Sequence, residues 1–362
     1  LTVFDNNSII KIDQASIVRD GAIFFIRRIL VATKPFLTFD KQIEKLKKRN
    51  LVIEDENHVK RILARENYYN VINGYKIPFL KKDINGNLIT PETYIDECNF
   101  NEIYSLHNMD RDLRIHLLSH LLKFETHLKT NCAYVFSDKH RESYAYLNIC
   151  NYSTDKNDLS NVLKNLAALS SEVNKSVGRN NKSLYIGHYI NKHDSVPLWV
   201  LVNSLTMGNM SYFYNSLDLN LRESIAKNFS IQYKSSYNSH ENISSGELKN
   251  LIKAVNLFRN VCAHEEILYI FKLKKGIKTK IFEKYFKSSS IGHETLSKND
   301  LYTLIAILKL VLIKDDYLDL IEGIKKIFEK YENDFKTVKF EDIILLAGFT
   351  KDWKEKICNS IF

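Results

Sequence analysis

Glycine and proline are scarce: Gly 11 and Pro 4 in 362 residues, well below their usual combined share of roughly 12%. Barrels, sandwiches, collagen-like repeats and linker-rich chains need both residues for their turns. The shortage therefore excludes those architectures and favours a mainly helical chain. After Pro91 only Pro197 interrupts the sequence, so long helices are free to run. The five cysteines, at 98, 132, 150, 262 and 358, form no C-x-x-C pair and are odd in number, which excludes a zinc ribbon or a disulfide framework and fits a reducing compartment. Long apolar runs are also missing. The best candidate, Ala22 to Thr33, is split by Arg27 and Arg28; it is too short to span a bilayer and lacks a small-residue cleavage site. It reads as a short amphipathic segment in an N-terminal extension, residues 1–33, of a cytoplasmic protein that does not enter the membrane.

Apolar residues make up 44% of the chain, enough for a substantial core. Thr38 can cap a helix carrying Phe39, Ile43, Leu46 and Leu51, and a second helix is expected near Asp55 to Glu66. Asn85-Gly86, between Asp83-Ile84 and Leu88-Ile89, is a two-residue hairpin signal. Residues 99–138 contain neither proline nor glycine, and Leu113, Leu117, Leu121, Phe124, Leu128 and Cys132 form a helical stripe. Further helices are expected at Leu159 to Val173, from Pro197 to near Gly208, at Leu219 to Phe229 and at Gly246 to Ala263. A loop is expected at 235–245, and three or four helices from Asn299 onward. The fold class is all-α, a multi-helix bundle with extra N- and C-terminal helices and one small β-hairpin. Its regions are an extension (1–33), a basic helical region with the hairpin (34–98), a helical core (99–290) and a C-terminal helical region (291–362).

The net charge of +9 makes a polyanionic partner worth seeking. Two stretches concentrate it. Residues 34–82 include Lys34, Lys47, Lys48 and Arg49; residues 271–288 include Lys272, Lys274, Lys275, Lys278 and Lys280. Tyr269, Phe271, Phe282, Tyr285 and Phe286 interleave with or flank the second stretch, offering rings for unpaired bases beside ammonium groups for phosphates. The bland alternative is a solvated lysine-rich loop.

The sharpest feature is Arg259-Asn260-Val261-Cys262-Ala263-His264, at the end of a helix whose other side is apolar. On an ideal helix Asn260 and His264 share a face, while Arg259 and His264 diverge by ~140° and stand ~7.5 Å apart along the axis. Such a pair would flank a cleft and suits a phosphodiester, with a guanidinium fork for phosphate oxygens and an imidazole to exchange protons near neutral pH.

Five ordered blocks, KPFLTFDKQIEKLKKRNL, NYYNVINGYKIPF, MDRDLRIHLLSHLLKFETHLKT, PLWVLVNSLTMGNMSYFY and LFRNVCAHEEILY, span Lys34 to about Leu273. In these the chain resembles the abortive-infection (Abi) proteins of the AbiD/AbiF type, a group of bacterial HEPN-domain proteins. The resemblance implies a HEPN-type helical bundle. It also implies an R-x4-H motif of metal-independent HEPN ribonucleases at Arg259, Asn260 and His264, with Glu125 and Lys129 as the accompanying E-x3-K element that orients it. Arg111 and Arg114 match the basic positions of the third block and become candidate RNA contacts. Arg114 and His120 also fall at an R-x5-H spacing, but on a core helix, and are not read as a second centre. Where the family carries an arginine three residues after the motif histidine, this chain has Ile267. Catalysis is then weaker, or the lysines from 272 onward substitute.

The reading that follows is a phage-defence ribonuclease that needs no metal or cofactor and that completes its site as a homodimer. The alternative is a non-catalytic HEPN scaffold holding a structured small non-coding RNA as a ribonucleoprotein. A toxin paired with a nucleotidyltransferase ranks last, because such toxins carry tyrosine two residues after the histidine and here Glu266 stands there.

Overall fold

The computed structural model describes the backbone of residues 16–19 and 22–25, and residues 36–175, 184–193, 195–286 and 298–350. It is all-α apart from one antiparallel pair, β1 (Ser16–Arg19) with β2 (Ala22–Phe25). The segment expected to be amphipathic thus starts as a strand. At Asn85-Gly86 the reverse is found. The turn forms, with Gly86 at φ +80° and its N–H donating to Asp83 O at 3.0 Å, but its arms pair only through isolated bridges at Lys82–Leu88 and Leu80–Tyr94. The expected hairpin is therefore a turn without regular strands.

Helix α1 (Phe39–Lys48) starts at Thr38, whose hydroxyl accepts from the Lys41 N–H, and α2 (Glu56–Glu66) starts at Asp55. The organising element is α3 (Phe100–Lys139), opened by an Asn99/Glu102 capping box. The six residues of its apolar stripe are all fully buried. Four helices follow: α4 (Leu159–Asn174), α5 (Leu184–His193), α6 (Leu198–Leu201) and α7 (Met207–Ser216). The continuous helix expected from Pro197 is broken, because Leu205 is extended and Thr206 caps a new helix by accepting from the Asn209 N–H at 3.2 Å. Gly208 lies inside α7 and ends nothing. Helix α8 (Leu219–Tyr237) runs past Phe229 into the serine-rich stretch until Asn238 turns left-handed at φ +47°. Helix α9 (Ser245–Ala263) carries a Ser244/Glu247 capping box and is followed by α10 (Thr279–Tyr285). The chain closes with α11 (Leu301–Val311), α12 (Lys314–Tyr331) and α13 (Phe340–Leu346).

One apolar core runs from Ile43 to Phe349 and joins the basic N-terminal region, the central helices and the C-terminal helices. Helices α3 and α9 lie side by side in it, and α12 packs along α3 on another face. The approach of α12 depends on Gly323: a Cβ there would fall 2.1 Å from the His116 ring, whose Nε2 stands 2.9 Å from Leu320 O. The C-terminal helices are also fixed at the start of α3, where the Glu102 carboxylate accepts from the Lys336 and Thr337 N–H groups at 2.7 and 2.9 Å. Helix α11 is buried on every side. It takes Lys309 with it, between the Tyr237 and Phe286 rings at 5.1 and 5.6 Å, and burial lowers the Lys309 pKa to about 8.

Candidate functional site

The R-x4-H residues occupy the last turn of α9. Arg259 faces α3, with its Nε 3.4 Å from Glu125 Oε2; the other Glu125 oxygen accepts from Lys129 Nζ at 2.8 Å. Glu125 is buried, and its i,i+4 pair with Lys129 forms the floor of the Arg259 site. At 3.4 Å the Arg259 contact is too loose for a good hydrogen bond, and both Arg259 Nε and Glu125 Oε2 are buried without a hydrogen-bond partner. Asn260 is half-buried. His264 is exposed and forms the C-cap, its N–H donating to Asn260 O at 2.9 Å.

His264 opens into a cleft of about 880 Å3. Arg259 and Asn260 are not among its walls, so the two ends of the motif serve different surfaces. The far wall is built from an unusual segment. Asn67 (φ +67°) turns the chain after α2, and Tyr69–Asn73 form a single π-turn, a geometry found often at functional positions. It leaves the Tyr69 ring 70% exposed in the cleft. Gly74 follows, and a Cβ there would stand 3.1 Å from Ile267 Cδ1. Ile267, where the resemblance leads to an arginine being expected, is thus packed side-on against a glycine.

Beneath the cleft lies a buried polar cluster. Fully buried Asp110 accepts from Tyr75 OH (2.8 Å) and from the N–H groups of Leu268 (3.0 Å) and Tyr269 (2.8 Å), and pairs with Arg114. Arg114 also donates to Tyr75 OH at 3.0 Å and Glu266 O at 3.3 Å. Burial pushes the Asp110 carboxyl up, against the pull of Arg114, the two amides and Tyr75. Burial likewise keeps the Tyr75 phenol protonated as a donor. The cluster pins residues 266–269, just after Glu265 reverses the chain at φ +55°, and so fixes where His264 projects. Arg114, expected to contact RNA, is 4% exposed and committed to this clamp, so its place is structural. Arg111 is half-exposed and held by Glu66. His120 is buried and faces Asp319 at 3.1 Å, on a different side of α3 from the clamp. Asp110 carries no sequence motif, and only its i,i+4 spacing to Arg114 could have marked it.

The two basic stretches differ. In the first, Lys47 pairs with Glu56, Lys48 with Glu44 at 2.6 Å and Arg49 with Glu92 at 2.6 Å; Lys34 lies outside the described residues. In the second, Lys272, Lys274, Lys275, Lys278 and Lys280 are all exposed, and no ion pair ties them among the described residues. Lys272 and Lys274 stand on the rim of the His264 cleft. Phe282, Phe286 and Tyr269, read as flanking rings for bases, are buried; exposed Tyr69 and half-buried Phe271 line the cleft with Lys272 and Lys274.

Among the described residues no His/Cys/Asp/Glu group could hold a metal ion, and no helix is long and apolar enough to cross a membrane. No curated protein and no solved structure matches the chain. The family described as Abi-like protein matches residues 61–270, which take in α3, the Asp110 clamp and the whole R-x4-H turn. The chain belongs to that Abi-like family, a membership that points to abortive-infection defence against phage.

Proposed function

We propose that the chain is a HEPN-type ribonuclease of phage defence that binds RNA and cleaves it without a metal cofactor. The observation that carries this reading is the last turn of α9, where an arginine without a full hydrogen-bond complement and an exposed histidine project from a helix held by its other face. In the reaction the ribose 2′-OH attacks the adjacent phosphorus and the 5′-oxygen leaves. His264 exchanges protons with one of these oxygens, and Arg259 stabilises the charge that develops on the phosphoryl oxygens. Glu125 and Lys129 act as positioning residues for Arg259, and Asn260 shares the His264 side of the helix. The unpaired lysines from 272 onward hold the flanking phosphates.

Because Arg259 and His264 open on different surfaces, a second copy completes the centre. Two exposed apolar residues support this pairing: Ile115 and Leu122, 64% and 41% exposed, lie with half-buried Leu118 on a helical stripe of α3 that continues into Glu125 and Lys129. Arg259→Ala and His264→Ala should each abolish phage protection and RNA cleavage at normal expression. Wild-type cleavage should persist in EDTA and leave a 2′,3′-cyclic phosphate. Protection retained by both variants would reject the assignment. Mixed Arg259→Ala and His264→Ala chains should regain part of the activity, and Leu122→Glu should weaken dimers in sedimentation.

A second reading, a scaffold that holds a structured small RNA without cutting it, is favoured by Ile267, which packs against Gly74 where a phosphate-binding arginine would stand. It predicts co-purified RNA and no cyclic-phosphate product. Under either reading, replacing Lys274, Lys275, Lys278 and Lys280 together by glutamine should flatten the salt dependence of RNA affinity, whose log-log slope is roughly −0.7 per single-strand phosphate contact.

A further inference from the structure

A second cleft, of about 630 Å3, opens along the last turns of α3, against the chain at 140–146 and 195–203. It shares no wall with the His264 cleft. It does reach the Arg259 site, since Lys129 lines it and donates to Glu125. Its walls are fixed before anything binds: Tyr146 OH donates to Val196 O at 2.8 Å, and Tyr152 OH donates to Tyr146 O at 2.7 Å.

Two features of this cleft are costly unless something fills it. Tyr134 is 71% and Trp199 59% exposed, large rings left wet in one concave site. His140 packs its ring on Phe136 at 4.8 Å, yet its buried Nε2 has no hydrogen-bond partner, and each such group in a native structure calls for an explanation. The two acids in the walls are already engaged, Asp138 by Arg141 at 2.9 Å and Glu142 by Asn151 at 2.8 Å. What remains is a pair of stacking faces, one unpaired imidazole nitrogen and a cation at one end.

We propose that this cleft receives an unpaired base of the RNA strand, stacked on Trp199 or Tyr134 with its edge bonded to His140 Nε2, while the adjoining phosphate meets Lys129 on the way to Arg259. The inference rests on the ribonuclease reading above and names how its substrate is gripped. It makes single-stranded RNA the substrate class, because a base inside a duplex cannot reach these rings.

The test uses the full chain with Trp353→Phe, which leaves Trp199 as its sole tryptophan. The probe is a 2′-O-methyl hexanucleotide, which lacks the attacking hydroxyl and cannot be cut. Binding is followed by anisotropy of a labelled copy, and contact by the Trp199 emission with an unlabelled one. The expected result is quenching that saturates at the same RNA concentration as the anisotropy. Tyr134→Ala or Trp199→Ala should weaken affinity roughly 5- to 100-fold, and His140→Gln should weaken it less than His140→Ala. Both rings are exposed, so the first two variants should fold. Binding with unchanged Trp199 emission and unaltered affinity in Tyr134→Ala would overturn the proposal, give the cleft to another occupant and leave the ribonuclease reading standing. Absence of any RNA binding would overturn both.

Discussion

Arg114 and Arg259 sit on neighbouring helices with opposite surroundings. The first is almost wholly buried, paired with Asp110 and bonded to Tyr75 and a backbone carbonyl. The second is a quarter exposed and leans on Glu125 at 3.4 Å, which Lys129 already satisfies in part. A guanidinium that balances a buried carboxylate belongs to the fold, and its removal strands a buried charge. An under-bonded one is cheap to remove and ready for an anion. The contrast separates the residue that builds the site from the one that would act in it, although both are arginines on helices facing a common core.

The largest effect should come from breaking the buried pair. Asp110→Ala leaves Arg114 and two amides without their acceptor and should destabilise the fold by about 3–5 kcal/mol, read from urea denaturation. Arg259→Ala, which leaves Glu125 its Lys129 partner, should cost less. Equal losses would erase the distinction. Next comes Lys309, a buried cation that lies between rings and has no ion pair among the described residues. With its pKa lowered from 10.5 to about 8, the unfolded chain binds more protons between those values. Stability should therefore rise as pH climbs through that window and stay reduced below it. Lys309→Met should remove this slope and add ~2–3 kcal/mol near neutral pH, provided the methionine packs where the lysine stem did. The smallest effect is the acid response. Burial lowers the pKa of His107, His116 and His127 below 6.5, so the unfolded chain takes up protons first as pH falls past that value, and stability falls with it. Urea midpoints at about pH 7.5 and 5.5 should show the drop, and His107→Phe should reduce it.

Much of this scaffold was legible in the sequence. The Leu113-to-Cys132 stripe and the Thr38 cap each state their role locally, because helix periodicity and capping depend on neighbours within four residues. The end of α9 at Ala263 was legible for the same reason. What could not be read was which charges are consumed. Arg114 and Lys129 look alike as basic positions on α3, and only the return of residues 266–269 and of α9 decides that one pairs with Asp110 under the His264 cleft and the other with Glu125 beside Arg259. The neutralisation of residues 34–82 was hidden likewise, since Glu92 lies outside the stretch it neutralises. The break at Thr206 was missed because an apolar run resembles a continuous buried helix until a side-chain cap interrupts it. At Asn85-Gly86 the turn chemistry was right, but the flanking residues found too few partners to become strands.

The unpaired lysines after α9 have a kinetic consequence. Many cations of the N-terminal basic stretch are held in ion pairs with carboxylates inside and beyond it, whereas the lysines at 272–280, without an ion pair among the described residues, cluster beside the Tyr69 rim. A diffusing polyanion would be drawn to that side before any specific contact forms. Encounter rates should then fall steeply with ionic strength, while residence times, governed by short-range contacts inside the clefts, change far less.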